Sequence, residues 1–312
     1  MKSCLLIAGE KSGEEHALSF FRELKASLPD TSFFGIGGQD LELEGLELLY
    51  HLNDFSSWGY SEVFQKIPFY LRAMKNIENE VIRRNCKVAI LVDFQSFNLK
   101  LAGKLKKLNV DVLYFVAPQA WAWKEYRVKK LAASVHTLFT IIPFEKKWFQ
   151  DRGVKNVLGV DHPLLSTYQD QLNDFTSSIY TKNKKLNILL LPGSRNFEVQ
   201  NLLGDFIEAI KIIKKEIDVN VSIVQSSSVN PNLYNSFSEH FDQVYKNEDL
   251  VLALKKADFA IASSGTVTLA SALFEVPTIV CYRVSFINYF IYETFVNYTG
   301  PGSLANIVHN QS

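Results

Sequence analysis

Short apolar runs rich in leucine and β-branched residues alternate with amphipathic stretches along the whole chain, a pattern that selects parallel strands joined by crossover helices. In the first half the runs are SCLLIA, SFFGIG, KVAILVD, VDVLYFV and HTLFTII. Helical periodicity fills the intervals near Glu14–Ser27, Tyr60–Arg84, Phe97–Lys107 and Lys124–Ala133. The second half repeats the theme with NILLLPG, VNVSIVQ, DFAIASS and PTIVCYR. Between the halves, DHPLLSTYQDQLNDFTSSIYTKNKK is polar and rich in turn residues. A chain of 312 residues exceeds one small core. The expected fold is therefore α/β, with two doubly wound, Rossmann-like domains facing a central cleft: residues 1–163, a linker over 164–185, and residues 186–312.

Charge and cysteine content narrow the function classes. Lys plus Arg and Asp plus Glu both number 33, so no global field draws the chain to nucleic acid. Cys4, Cys86 and Cys281 are scattered through apolar runs, as buried thiols of a reducing compartment would be. The amino terminus reads as a first strand and lacks the pattern of a signal peptide. No apolar run approaches the roughly 18 to 20 residues of a membrane-spanning helix, so the chain is expected to be cytosolic or membrane-associated.

Open α/β sheets bind ligands beyond the carboxyl ends of their strands, and the polar motifs sit there. After NILLL, the turn Pro192-Gly193-Ser194-Arg195 leads into an amphipathic helix, so its amides form a seat for phosphate and Arg195 adds a fork of donors. The alternative is an ordinary helix cap with a surface arginine. After DFAIA, Ser263, Ser264, Gly265 and Thr266 offer a second small-residue turn. Two such turns on neighbouring strands fit a nucleotide diphosphate. In the first half, Gly9, Ser12 and Gly13 lie between strand and helix, where a phosphate or sugar could approach the backbone; a plain βα turn is the alternative. Asp93 closes KVAILVD, which sends a carboxylate to the carboxyl end of a buried strand, as a general base or as a cap of the following helix.

Two aromatic stretches bear on membranes. YFVAPQAWAWKEYRVKK sets two tryptophans before Lys124, Arg127, Lys129 and Lys130, suited to core packing or to an anionic lipid surface. In WGYSEVFQKIPFYLRAM, Tyr60, Val63, Phe64, Ile67 and Leu71 form a helical stripe, Phe69 and Tyr70 widen it towards a lipid-facing surface, and Pro68 is expected to disturb the helix. With no D-x-D triplet and no cluster of histidines and carboxylates, neither metal nor cofactor is expected.

Together IAGEKSGE, FFGIGGQDLELEG, WGYSEV, VDFQSFN, YFVAPQAWAWKEYR, PFEKKWF, LLPGSRNFEV, SSGTVTL, PTIVCYR and SLANIV resemble, in order and spacing, the lipid-A-disaccharide synthases, inverting glycosyltransferases of GT-B architecture. The resemblance implies transfer of diacylglucosamine from its uridine-diphosphate (UDP) form to diacylglucosamine 1-phosphate, by an enzyme peripheral on the cytoplasmic face of the bacterial inner membrane. It implies Asp93 as the catalytic residue. Glu10, Ser12, Gly13 and Asn98 would face the acceptor; Gly193, Ser194, Arg195, Ser264, Gly265, Thr266, Arg283 and Asn306 would hold the donor. Glu14, Ser96 and Ala305 replace an aspartate, an acid and a proline of the family pattern. Ala270 stands where such donor domains place a glutamate for the ribose hydroxyls. Family members also run a few dozen residues beyond NIVHNQS, so the donor domain is expected to be incomplete. The rival readings are a related enzyme on another UDP-aminosugar and a binding protein without turnover.

Overall fold

A computed structural model describes residues 2–55, 60–122, 124–173 and 185–283. Asn306, Ala305, Trp123 and SLANIV lie outside the described residues. The chain divides into two compact units, 1–167 and 168–312.

In the first unit, β1 (Lys2–Ala8), β2 (Thr31–Gly37), β3 (Glu47–His51), β4 (Val88–Val92), β5 (Asp111–Phe115), β6 (Thr137–Thr140) and β7 (Val157–Gly159) form a parallel sheet ordered β3-β2-β1-β4-β5-β6-β7. Its helices are α1 (Lys11–Ser27), α2 (Gln39–Leu43), α3 (Tyr60–Arg83), α4 (Gln95–Lys107), α5 (Arg127–Ser134) and α6 (Glu145–Gln150). Alternate residues of β1 enter opposite cores: Leu5 and Ile7 pack with α3, α4 and α5, while Cys4, Leu6 and Ala8 pack with α1 and α2. That two-sided burial explains runs with no polar alternation. Each fully buried leucine contributes about 1.5–3 kcal/mol.

Helix α7 (Pro163–Asn173) spans the start of the segment 164–185. In the second unit, β8 (Leu186–Leu191), β9 (Val219–Gln225), β10 (Gln243–Lys246), β11 (Phe259–Ser263) and β12 (Thr278–Cys281) pair in parallel in the order β10-β9-β8-β11-β12. Helices α8 (Asn196–Glu216) and α9 (Asn232–Asn235) cover one face, and α10 (Leu250–Lys256) and α11 (Thr266–Leu273) the other. Both sheets thus share the inner order 3-2-1-4-5, with the direction of winding reversing beside the first strand.

Two expectations about α3 change. Pro68 lies inside the helix without ending it, and Ala73, Met74, Ile77 and Val81 anchor the turns beyond it in the core. Phe69 and Tyr70 do not widen an exposed stripe: they pack on Phe55 at ring separations of 5.1 and 5.7 Å, and the Tyr70 hydroxyl donates to the Phe55 carbonyl at 3.0 Å. Ile67 and Leu71 are exposed.

A buried carboxyl ties the loop after β5 to the start of α6. Glu145, 1% exposed, accepts the Trp121 indole N–H at 2.9 Å, and burial pushes its pKa up to about 7.

Gly35 of β2 has φ +154°, and an added Cβ would stand 1.8 Å from the Leu6 carbonyl oxygen of the neighbouring strand. Gly35→Ala should lower the unfolding free energy by about 2–4 kcal/mol, read from denaturant midpoints; an unchanged midpoint would contradict the packing described. For Glu145, the folded state retains a proton that the unfolded state gives up near 4.5, so its contribution to stability falls as pH rises from there to about 7. Glu145→Gln should flatten that slope, by about 3 kcal/mol between pH 4.5 and 8 if the full shift acts. Parallel pH profiles of melting temperature for the two proteins would rule this out.

Candidate active site

At the reversal point of the first sheet, β1 and β4 are adjacent, with Ala8 opposite Val92. The loops that follow them therefore emerge together. The Ser12 hydroxyl, in the first turn of α1, donates to Asp93 Oδ2 at 3.4 Å across 81 residues of sequence. Glycine at position 13 permits this closeness, since an added Cβ would meet the Val92 carbonyl at 3.3 Å. Glu10 is the exposed residue that precedes α1.

Asp93 and Phe94 both adopt left-handed backbone conformations, with φ of +46° and +44°. Two successive non-glycine residues there are unfavourable unless their surroundings hold them. The Asp93 N–H donates to the Phe115 carbonyl at 2.9 Å. The Asp93 carbonyl accepts both Asn98 Nδ2 and the Tyr114 hydroxyl, each at 3.0 Å. Asn98 Nδ2 also reaches the Val92 carbonyl at 3.2 Å. The Phe94 ring lies over Gly9 so closely that a Cβ there would stand 2.4 Å from it.

Asp93 itself is half-buried, and among the described residues no lysine or arginine forms an ion pair with it. Burial raises its proton affinity, against the opposing hydrogen bonds of Ser12 and the Phe94 amide. A carboxylate that is reachable, unquenched by a cation and more basic than usual can accept a proton from a hydroxyl.

Asn98, expected at the acceptor, is 0% exposed and turned to the two carbonyls, so it supports the turn and does not meet solvent. Its Oδ1 is buried with no partner among the described residues, an arrangement that costs about 1–3 kcal/mol. Ser96 and Gln95 accept hydrogen bonds from the buried Arg127 guanidinium. Glu14 is buried too, bridging Lys11 at 2.9 Å and the Leu41 amide at 3.2 Å.

In the second unit β8 and β11 are paired, with Leu191 opposite Ala262, so both small-residue turns leave one edge of the sheet. Gly193 has φ +126°. The amides expected to await phosphate are already engaged: Glu198 Oε2 accepts Ser194 N at 2.9 Å and Arg195 N at 3.3 Å. Its other oxygen holds Arg195 Nη1 at 2.9 Å. The reason is the general one at helix starts, where orphan N–H groups attract a glutamate three residues in. The seat thus carries an anion of its own, and the exposed Arg195 side chain remains the reachable charge.

At the other turn the Ser264 amide donates to the Cys281 carbonyl at 3.1 Å, extending the sheet. Gly265 and Thr266 are exposed, and a Cβ on Gly265 would meet nothing within 4 Å. Packing among the described residues does not require glycine there. Arg283 lies along α8, against the Asn201 carbonyl at 3.2 Å and Asp205 at 3.5 Å. Ala270 is buried against the core. Among the described residues no group of histidines, cysteines or carboxylates is arranged to hold a metal ion, and no helix is long and apolar enough to cross a membrane.

Sequence reasoning missed Tyr114 and Glu198. Tyr114 looks like any core residue of a strand, whereas Glu198 carried a readable signal in its spacing from the turn.

A family model described as lipid-A-disaccharide synthetase matches residues 4–312. The chain is 34% identical to the lipid-A-disaccharide synthase of Myxococcus xanthus, over 92% of this chain and 76% of the relative. It is 30% identical to lipid-A-disaccharide synthase 1 of Legionella pneumophila (strain Lens), over 98% and 81%. Its fold is similar to that of UDP-GlcNAc 2-epimerase from Neisseria meningitidis, solved bound to UDP-GlcNAc, at a TM-score of 0.59 and 11% identity over 99% of this chain and 90% of that one. That likeness concerns the fold alone; the matches in sequence run through both units and every loop described above, and the chain belongs to the lipid-A-disaccharide synthase family of glycosyltransferases.

Proposed function

We propose that this enzyme moves 2,3-diacylglucosamine from its UDP ester to the 6-hydroxyl of 2,3-diacylglucosamine 1-phosphate, forming the β-1,6-linked disaccharide and releasing UDP. The reaction would take place at the cytoplasmic face of the inner membrane, with the protein bound peripherally. The observation that carries this reading is Asp93, a half-buried carboxylate at the reversal point of the first sheet, hydrogen-bonded by Ser12 and made more basic by burial.

In this reading Asp93 takes the proton of the acceptor hydroxyl as its oxygen attacks the anomeric carbon. The bond from that carbon to the diphosphate oxygen breaks, the electron pair leaves with UDP, and the configuration inverts. Ser12, Glu10 and Gly13 line the acceptor side. Arg195, with Gly193, Ser194, Ser264, Gly265 and Thr266 around it, offsets the charge gathering on the departing diphosphate. Asn306 and Arg283 are assigned to the donor by resemblance. Because Ala270 carries no group for the ribose hydroxyls, donor affinity depends more heavily on Arg195. Glu198 must yield when phosphate reaches the Ser194 and Arg195 amides, since two anions cannot share those donors.

Asp93→Asn should lower kcat by roughly 10²- to 10⁴-fold while UDP binding by calorimetry stays within twofold. The wild-type rate should fall on acidification as Asp93 gains its proton, with the acid limb above the ordinary aspartate value because burial raises the pKa. Near-normal turnover of the variant would defeat the assignment. Arg195→Ala should weaken UDP binding about tenfold or more, in line with loss of a charge-assisted contact; an unaltered dissociation constant would remove Arg195 from the donor site.

A further inference from the structure

We propose that Asn98 and Tyr114 are positioning residues for the transfer, clamping the Asp93 carbonyl from two sides and thereby aiming the Asp93 carboxyl at the acceptor. This rests on the reading of Asp93 as the base. Asn98 comes from α4 and Tyr114 from β5, yet both donate to one carbonyl oxygen at 3.0 Å. Both side chains are 0% exposed, so neither touches a substrate; each acts through the backbone it holds.

Packing alone does not account for either polar group. Phenylalanine would fill the space of Tyr114 without a hydroxyl. A leucine is close to asparagine in size and would leave no orphaned acceptor, whereas Asn98 Oδ1 is buried without a partner among the described residues. What the two polar groups share is the carbonyl of a residue at φ +46°, followed by another at +44°. Since φ and ψ fix the direction of the Cα–Cβ bond, a relaxed turn would swing the carboxyl away from Ser12. The Phe94 ring pressed over Gly9 closes the same turn from the side of β1.

The test uses the full chain and both diacylated sugars. Tyr114→Phe deletes the hydroxyl and keeps the ring; kcat should fall roughly 10- to 100-fold, the scale of a small misplacement of a reacting group. Both KM values and the melting temperature should stay close to wild type. Combined with Asp93→Asn, in single turnover with excess enzyme, Tyr114→Phe should cost nothing further, because the group it aims is gone. Asn98→Ser, which retains a shorter donor, should repeat the pattern and carries the test if Tyr114→Phe does not fold. A kcat within twofold of wild type, or an equal loss on top of Asp93→Asn, would overturn the proposal. So would a fall in kcat accompanied by raised KM values and a lowered melting temperature. Normal turnover of Asp93→Asn would sink the base assignment itself, while a large loss there with a normal Tyr114→Phe enzyme would sink only the positioning role.

Discussion

A parallel strand cannot return to its neighbour without crossing a face of the sheet, and the helix that makes the crossing must be buried against that face. Once β1 has sent its connection one way and β4 the other, helices cover both faces, and the loops at the carboxyl ends of these two strands are left diverging. Ser12 and Asp93, 81 residues apart, meet there for that reason. The second sheet repeats the solution with β8 and β11, which sets Gly193 and Gly265 on adjacent loops. Topology therefore brings these loops together before any side-chain detail is considered.

The two units then treat charge in opposite ways. At the start of α8 the orphan amides and the Arg195 guanidinium are satisfied by Glu198, which stabilises the helix in the absence of any ligand. Such a turn needs no ligand to satisfy its amides. Around Asp93 the satisfied groups are backbone carbonyls, and among the described residues the carboxylate has only the Ser12 hydroxyl and the Phe94 amide. A neighbouring cation would have lowered its proton affinity. Glu14 illustrates the alternative a few residues away, with Lys11 and the Leu41 amide on its two oxygens.

Much of the architecture was legible because central parallel strands are apolar on both faces. Every run read as a strand is one, from SCLLIA to PTIVCYR. The strands that escaped notice are β3, β7 and β10, short elements at or near sheet edges. Glu47–His51 has no fully buried residue, Val157–Gly159 buries only its valine, and Gln243–Lys246 buries only its tyrosine. Such strands are paired by position in the sheet more than by hydrophobic pattern. Pro68 misled in the other direction: a missing N–H weakens one turn, but the burial of Met74, Ile77 and Val81 outweighs it.

The site was legible in its residue types and less so in their division of labour. Asp93 could be placed at a strand end from pattern alone, and Ser12, expected between strand and helix, stands in the first turn of α1, whereas the inward turn of Asn98 goes with a left-handed conformation at Asp93 and Phe94 that composition does not announce. A carboxylate at an ordinary strand end can swing among rotamers on a backbone that also moves. Here the peptide behind Asp93 is bonded to β5 through Phe115 and Tyr114 and to α4 through Asn98, while Gly9 admits the Phe94 ring against β1. Motion of that peptide would require breaking buried hydrogen bonds in two elements at once, each with a desolvation cost that water cannot relieve. Rigidity of the backbone and freedom from cations are thus separate requirements, and among the described residues the first unit meets both around one residue.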